Sequence, residues 1–130
     1  MRISGGKERG VALSVSKSTV QRPATDRLRQ GVFSSLGKRI EGTDVCDLFA
    51  GTGSYGLEAL SRGSASATFV EKNRKACEMI RKNIAIVAKS MGADRFSAPI
   101  LPKDATKAIS FSSKRFDLIF ADPPYEFLNS

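Results

Sequence analysis

With 130 residues, 41% of them hydrophobic, the chain has material for one ordinary core and argues for a single domain. No apolar run approaches a membrane span, and M-R-I-S-G-G-K-E-R-G carries charge without an apolar stretch, so it reads as no secretory signal and the expected compartment is the cytoplasm. Histidine is absent, which excludes Ser-His and Cys-His catalysis; with only two cysteines besides, no metal site is expected.

The net charge of +8 is unevenly spread. Residues 1–40 hold nine Lys/Arg and two Asp/Glu, whereas residues 41–130 hold twelve and eleven. The basic surplus in the first third fits either a polyanionic partner docking there or a solvated face with no partner.

In chain order, Ile3 and then Val11, Leu13 and Val15 predict two short strands around Gly5-Gly6 or Gly10, a basic hairpin or arm. Residues 18–24 form a polar linker, so the division is a hairpin and linker over 1–24 and a core over 25–130. Over residues 25–36, Leu28, Val32, Phe33 and Leu36 share one helical face, with Thr25 or Asp26 as the cap, Gly37 at the end, and Arg27 and Arg29 pointing away. Residues 44–50 (D-V-C-D-L-F-A) predict a buried strand and 51–56 a tight loop. Residues 57–62 predict a helix closed by Gly63, and 67–71 a second strand. Residues 73–91 predict a long helix with Cys77, Ile80, Ile84, Val87 and Met91 on one face, ended by Gly92. Residues 96–101 predict a weaker strand bounded by Pro99 and Pro102, residues 105–111 a short helix, and residues 116–121 the last strand. Strands alternating with helices mean a parallel α/β sheet with right-handed crossovers and helices on both faces. Cys46 and Cys77 read as buried free thiols.

Gly51, Gly53 and Gly56 make G-x-G-x-x-G between a strand and a helix: the first glycine permits the turn, the second lets a ligand approach, and the third lets helix and strand pack. Glu71 ends the next strand, where a carboxylate can accept hydrogen bonds from ribose hydroxyls. These features predict an adenosine-containing cofactor, a dinucleotide or S-adenosylmethionine. Asp47 favours the second, because a carboxylate before the loop suits the ammonium of an amino acid and opposes a pyrophosphate.

After the last strand comes Asp122-Pro123-Pro124-Tyr125. The prolines stiffen the corner. The Asp122 carboxylate and the Pro123 carbonyl are both acceptors, matched to the two N–H donors of an exocyclic amino group, and Tyr125 offers a face on which a base can stack. A base held this way, out of its own stack, could present its nitrogen to a sulfonium methyl.

D-P-P-Y, with D-L-F-A-G-T-G-S-Y-G-L-E-A-L and an acid after the second strand, resembles the amino-methyltransferases of the S-adenosylmethionine-dependent class. M-R-I-S-G-G-K-E-R-G and R-P-A-T-D-R-L-R-Q-G-V-F resemble the RsmD family, and the resemblance runs from Met1 to about Tyr125. It implies a Rossmann-like class I methyltransferase sheet and methylation of the N2 atom of a guanine in small-subunit ribosomal RNA. It also implies that Gly51, Gly53 and Gly56 shape the cofactor loop, that Glu71 binds ribose, and that Asp104 sits near the adenine amino group with Ala105 beside it. Thr25 and Asp26 match the segment closing over the methionine end, and Asp122, Pro123 and Tyr125 hold the guanine. Arg2, Lys7, Arg9, Arg22, Arg27 and Arg29 grip RNA phosphates.

The family continues with further strands beyond D-P-P-Y, whereas nothing follows Ser130 here. The C-terminal strands are thus expected to be missing, leaving the last strand with a bare edge where dimer contacts are plausible. A nicotinamide-dependent oxidoreductase explains the glycine loop and Glu71 but neither the corner nor the basic arm. A non-catalytic, truncated RNA-binding relic explains the charge and the missing strands. A DNA amino-methyltransferase is a variant of the first reading, since the corner reads an amino group.

Overall fold

The computed structural model describes residues 2–6, 9–13, 23–92, 97–106 and 115–121. The first segment folds back on itself: Arg2 and Ala12 form an antiparallel bridge, the Ile3 amide donates to Val11 O at 3.0 Å, and the Gly10 amide donates to Ile3 O at 2.8 Å. This is the expected hairpin, with a single bridge among the described residues. Val15 lies outside the described residues. Ile3 and Leu13 are buried in the main core, so the hairpin packs down on the protein.

Helix α1 spans Pro23–Leu36. It starts two residues before the expected cap, which puts Thr25 and Asp26 inside its first turn. Proline suits that start because its missing N–H would be unpaired there and its φ is already helical. A 3-10 helix follows over Gly37–Ile40, entered by Gly37 at φ 54°. The buried stripe of α1 is turned by one residue from the expected face. Arg29 and Phe33 are buried, while Leu28 is 58% exposed.

Strand β1 spans Asp44–Leu48, helix α2 Ser54–Ser61, strand β2 Ser66–Val70 and helix α3 Arg74–Met91. Strands β3 (Ile100–Leu101) and β4 (Leu118–Ala121) complete a parallel sheet ordered β3-β2-β1-β4. The weak third strand is only two residues long, with a separate bridge from Ser66 to Ser97. Fully buried parallel strands read as continuous apolar runs, and β2 is buried at every position.

Side chains alternate across β1. Val45 faces the larger core with Phe33 of α1, Leu57 and Leu60 of α2, Phe69 of β2, and Ile80 and Val87 of α3. Cys46 faces a smaller cluster with Val70, Leu48, Leu101, Ala105 and Phe116. The three described helices thus all feed one face. The helix expected over residues 105–111 is described only at its first two residues. Among the described residues β4 is paired on one side only, and no helix is long and apolar enough to cross a membrane.

Candidate active site

In this sheet the chain moves from β1 to β2 and β3 on one side, then returns to place β4 on the other side of β1. The β1–β4 boundary is therefore the switch point, where a crevice opens outside the carboxyl ends of the strands. The glycine loop leaves β1 there. Leu48 lies in register with Ala121, so the chain leaves β4 beside that loop.

The loop is held by a closed set of hydrogen bonds. The Ala50 amide donates to Val70 O at 3.1 Å and the Gly53 amide to Ala50 O at 2.7 Å. Phe49 takes φ 56°, the one positive φ at a non-glycine among the described residues. For an aromatic side chain such a backbone costs about 1–3 kcal/mol, and it persists only where the surroundings over-determine it. Here they do: Asp47, Glu71 and Asn83 each hold part of the loop that follows.

Asp47 is buried, and its Oδ2 accepts from the Gly56 amide at 3.0 Å. Helix α2 has Gly53 at its N-cap, with no side chain to cap it. Asp47 supplies that capping acceptor from the neighbouring strand, at the helix end that favours negative charge. This explains why α2 begins at Ser54, three residues ahead of expectation. The Glu71 carboxylate spans two backbone segments: Oε1 accepts from the Gly51 amide at 3.0 Å and Oε2 from the Asn73 amide at 2.9 Å. Buried Asn83, on α3, donates from Nδ2 to Thr52 O at 3.0 Å. Asn83 was not singled out from the sequence. It lies three residues after Ile80 and four before Val87, and a polar residue on that buried stripe was the available signal.

Gly51 turns the chain at φ 58° and Gly56 packs helix on strand, both as expected, whereas Gly53 does not face open space. A Cβ on Gly56 would fall 2.3 Å from Phe69 Cε1, so only glycine lets α2 lie on β2 there. A Cβ on Gly53 would meet Phe69 and Ile80 at 3.3 and 3.4 Å, so its side faces the core; its φ of 82° is what requires glycine. The open space is at Gly51, where the nearest atom is Phe49 O at 3.9 Å. Gly56→Ala is expected to destabilise the fold by about 1–3 kcal/mol, the usual cost of overpacking. Chemical denaturation of the variant, read as a fall in midpoint at constant slope, checks this.

Strands β2 and β3 end side by side, since the Glu71 amide donates to Leu101 O at 3.1 Å, and Asp104 follows three residues after Leu101. Asp104 Oδ1 accepts from the Thr106 amide at 2.9 Å and from Thr106 Oγ1 at 2.7 Å, which turns the chain after β3. Ala105 packs into the smaller cluster. Phe33, Tyr55 and Phe120 form a three-ring group with centroids 5.2 to 6.1 Å apart, tying α1, α2 and β4 together beneath the loop. Asp122, Pro123 and Tyr125 lie outside the described residues.

Of the expected phosphate-binding cations, Arg2, Arg9 and Arg27 are exposed, and Lys7 and Arg22 lie outside the described residues. Arg29 is a correction. It is 3% exposed, its Nε lies 3.4 Å from Glu58 Oε1, and its Nη2 donates to Arg2 O at 3.0 Å. It points into the protein because the buried stripe of α1 passes through it. Both cysteines are buried free thiols. Burial, with Asp47 alongside, pushes Cys46 up to about 11, and burial with Glu71 nearby raises Cys77. Both shifts disfavour the thiolate, the nucleophilic form. Among the described residues no group of side chains is suited to a metal ion.

A parallel sheet of this order, with its glycine loop after β1 and acids after β2 and β3, is a Rossmann-like fold, the one that class I methyltransferases use. Within that class, the family described as conserved hypothetical protein 95 matches residues 1–130, and the chain belongs to it, the RsmD family. The ribosomal RNA small subunit methyltransferase D of Escherichia coli strain K12 is 35% identical over 125 residues, which cover 96% of this chain and 60% of that protein. Its counterpart in Haemophilus influenzae is 31% identical over 129 residues, covering 98% and 65%. The solved structure of Escherichia coli yhhF superposes with a TM-score of 0.79 at 34% identity, covering 96% and 64%. The chain thus spans less than two thirds of the length of each of these relatives.

Proposed function

We propose that this chain carries the cofactor-binding part of an enzyme that transfers a methyl group from S-adenosylmethionine to the exocyclic N2 of a guanine in small-subunit ribosomal RNA. The observation that carries the reading is the pairing of Leu48 with Ala121, which ends β4 beside the start of the glycine loop, one residue before Asp122 in the sequence. Family membership and relatives named for ribosomal RNA methylation support methyl transfer over hydride transfer.

The residues present fit the cofactor. Gly51 leaves room for a ligand against the backbone. Glu71 and Asp104 are acceptors at adjacent strand ends, suited to ribose hydroxyls and an adenine amino group. Asp47 places a negative charge under the loop, which suits an amino acid's ammonium and opposes pyrophosphate. Each carboxylate oxygen of Glu71 has given one lone pair to a backbone amide and keeps another for a hydroxyl.

Bound S-adenosylmethionine supplies an electrophilic methyl group. The chain's own residues do the rest. Asp122 and the Pro123 carbonyl accept from the guanine amino group, and Tyr125 stacks on the base. As positive charge develops on N2, the Asp122 carboxylate stabilises it. Positioning accounts for the remaining acceleration. Exposed Arg2, Arg9 and Arg27, together with Lys7 and Arg22, hold RNA phosphates.

Calorimetric titration with S-adenosylmethionine, with NADH as control, tests the cofactor. Micromolar binding of the first and none of the second is expected. Incubation with small-subunit ribosomal RNA and labelled cofactor, followed by nucleoside analysis, then reads the product as N2-methylguanosine. Selective NADH binding overturns the reading. Salt-dependent RNA binding without cofactor binding or transfer would favour a non-catalytic RNA-binding module instead.

A further inference from the structure

Glu58 lies in the middle of α2 and is fully buried. Its Oε1 accepts from the Ser4 amide at 2.8 Å, Ser4 Oγ at 2.9 Å and Arg29 Nε at 3.4 Å. Its Oε2 accepts from the Gly5 amide at 2.9 Å and Arg62 Nε at 2.8 Å. One carboxylate therefore gathers α1, α2 and the hairpin. Around it, Ser61 Oγ donates to Gly5 O at 2.6 Å and Arg62 Nη2 to Ser4 Oγ at 3.3 Å. Of the two glycines of R-I-S-G-G, Gly6 lies so close to the end of α2 that a Cβ would strike its backbone, whereas at Gly5 it would meet the Arg62 side chain just beyond the helix. At Gly5 it would come 2.5 Å from Arg62 Nη2, and at Gly6 2.1 Å from Ser61 O.

A buried ionic cluster of this kind is a poor source of net stability, since apolar side chains of the same volume often do as well. What it does supply is one defined register: two consecutive peptide N–H groups of the hairpin fit one carboxylate on the helix. The same helix carries the glycine loop at its other end, with Gly56 held by Asp47. At about 1.5 Å per residue, the eight residues of α2 form a rigid bar about 12 Å long.

We propose that Glu58 is a positioning residue for RNA, fixing the basic hairpin on the element that carries the methyl-donor loop. The phosphate grip and the cofactor then share one rigid mount. This rests on the reading that the hairpin cations hold RNA.

The test uses the full chain, protein-free small-subunit ribosomal RNA, and filter binding across a salt series. Arg2 Nη1 already donates to Gly10 O within the hairpin, so the grip is removed at Lys7 and Arg9 instead. Lys7→Ala/Arg9→Ala should weaken RNA binding about tenfold and reduce the salt slope by about two. Glu58→Gln should weaken RNA binding about as much and leave the S-adenosylmethionine Kd within about twofold. Adding Lys7→Ala/Arg9→Ala to Glu58→Gln should then cost less than about twofold more, because the grip is already out of place. Gly6→Ala carries the same test from outside the core and stands if Glu58→Gln does not fold. Gly6 is exposed at φ 79°, and the atoms nearest its new methyl would be backbone atoms of Ser61 and Arg62 at the end of α2.

Unchanged RNA affinity in Gly6→Ala and Glu58→Gln, or a full further tenfold loss in the combined variant, overturns the positioning role. No effect of Lys7→Ala/Arg9→Ala in the parent chain overturns the RNA grip itself and takes the inference with it.

Discussion

Asp122→Ala is expected to lower the methyl-transfer rate at least about 100-fold while leaving the affinity for S-adenosylmethionine within about twofold. The magnitude follows from removing one preorganised acceptor at a centre where charge develops. The selectivity follows from the fold. Glu71 and Asp104 sit at the ends of β2 and β3, whereas residue 122 follows β4, across the glycine loop from them. The acceptor proposed for the guanine amino group thus follows a different strand from the acceptors proposed for ribose and adenine. Asp122→Asn keeps the size but loses the charge and one acceptor, so it should fall between the two. Single-turnover transfer of a labelled methyl group, with calorimetry on the same samples, separates the effects. If Asp122→Ala loses cofactor binding as well while its far-UV circular dichroism is unchanged, the division of roles between the strand ends is wrong.

The strands and the loop were legible because their signals are local. V-C-D-L and A-T-F-V are buried parallel strands, and such strands are apolar without alternation. The glycines carry their own reason in φ, or in the missing Cβ. Helix starts were less legible. The start of α2 depends on Asp47, nine residues before the amide it caps, while the cap position itself is a glycine with no side chain to read.

Arg29 and Glu58 were illegible for a related reason. Periodicity sorts residues into apolar and charged, and it assigns a charged one to the surface. These two are buried because each finds the other, with Ser4 and Gly5 reaching Glu58 from more than fifty residues away. A burial energy that depends on such distant partners leaves no local pattern. The glycine pair at positions 5–6 was visible as a turn, and Gly6 does take φ 79°; what the sequence did not show is its close approach to the end of α2.

Glu71 makes the sharpest case for a residue whose structural and functional roles can be separated. Glu71→Ala is expected to weaken S-adenosylmethionine binding at least about 100-fold. The carboxylate is the acceptor proposed for the ribose hydroxyls, and hydrogen bonds to a charged group contribute about 1.5–3 kcal/mol each. Its loss also frees the Gly51 amide at the turn of the loop and the Asn73 amide before α3. Asn73 still caps α3 through its own side chain, which accepts from the Ala76 amide at 3.0 Å, so the helix should survive and the damage should centre on the loop. Glu71→Gln discriminates further. It keeps one oxygen acceptor and turns the other into an NH2 group facing a peptide N–H, so one of the two amides meets a donor in place of an acceptor. Its expected loss is about tenfold, between the parent and Glu71→Ala. Calorimetry gives the affinities, and hydrogen exchange at the Gly51 amide reports the loop. Fast exchange with undiminished cofactor affinity in Glu71→Ala would mean that the acid only braces the loop and the ribose is held elsewhere. Slow exchange with lost affinity would mean that the loop stands without it and the carboxylate acts on the ligand alone. The two amides already bonded in this structure predict that both change together.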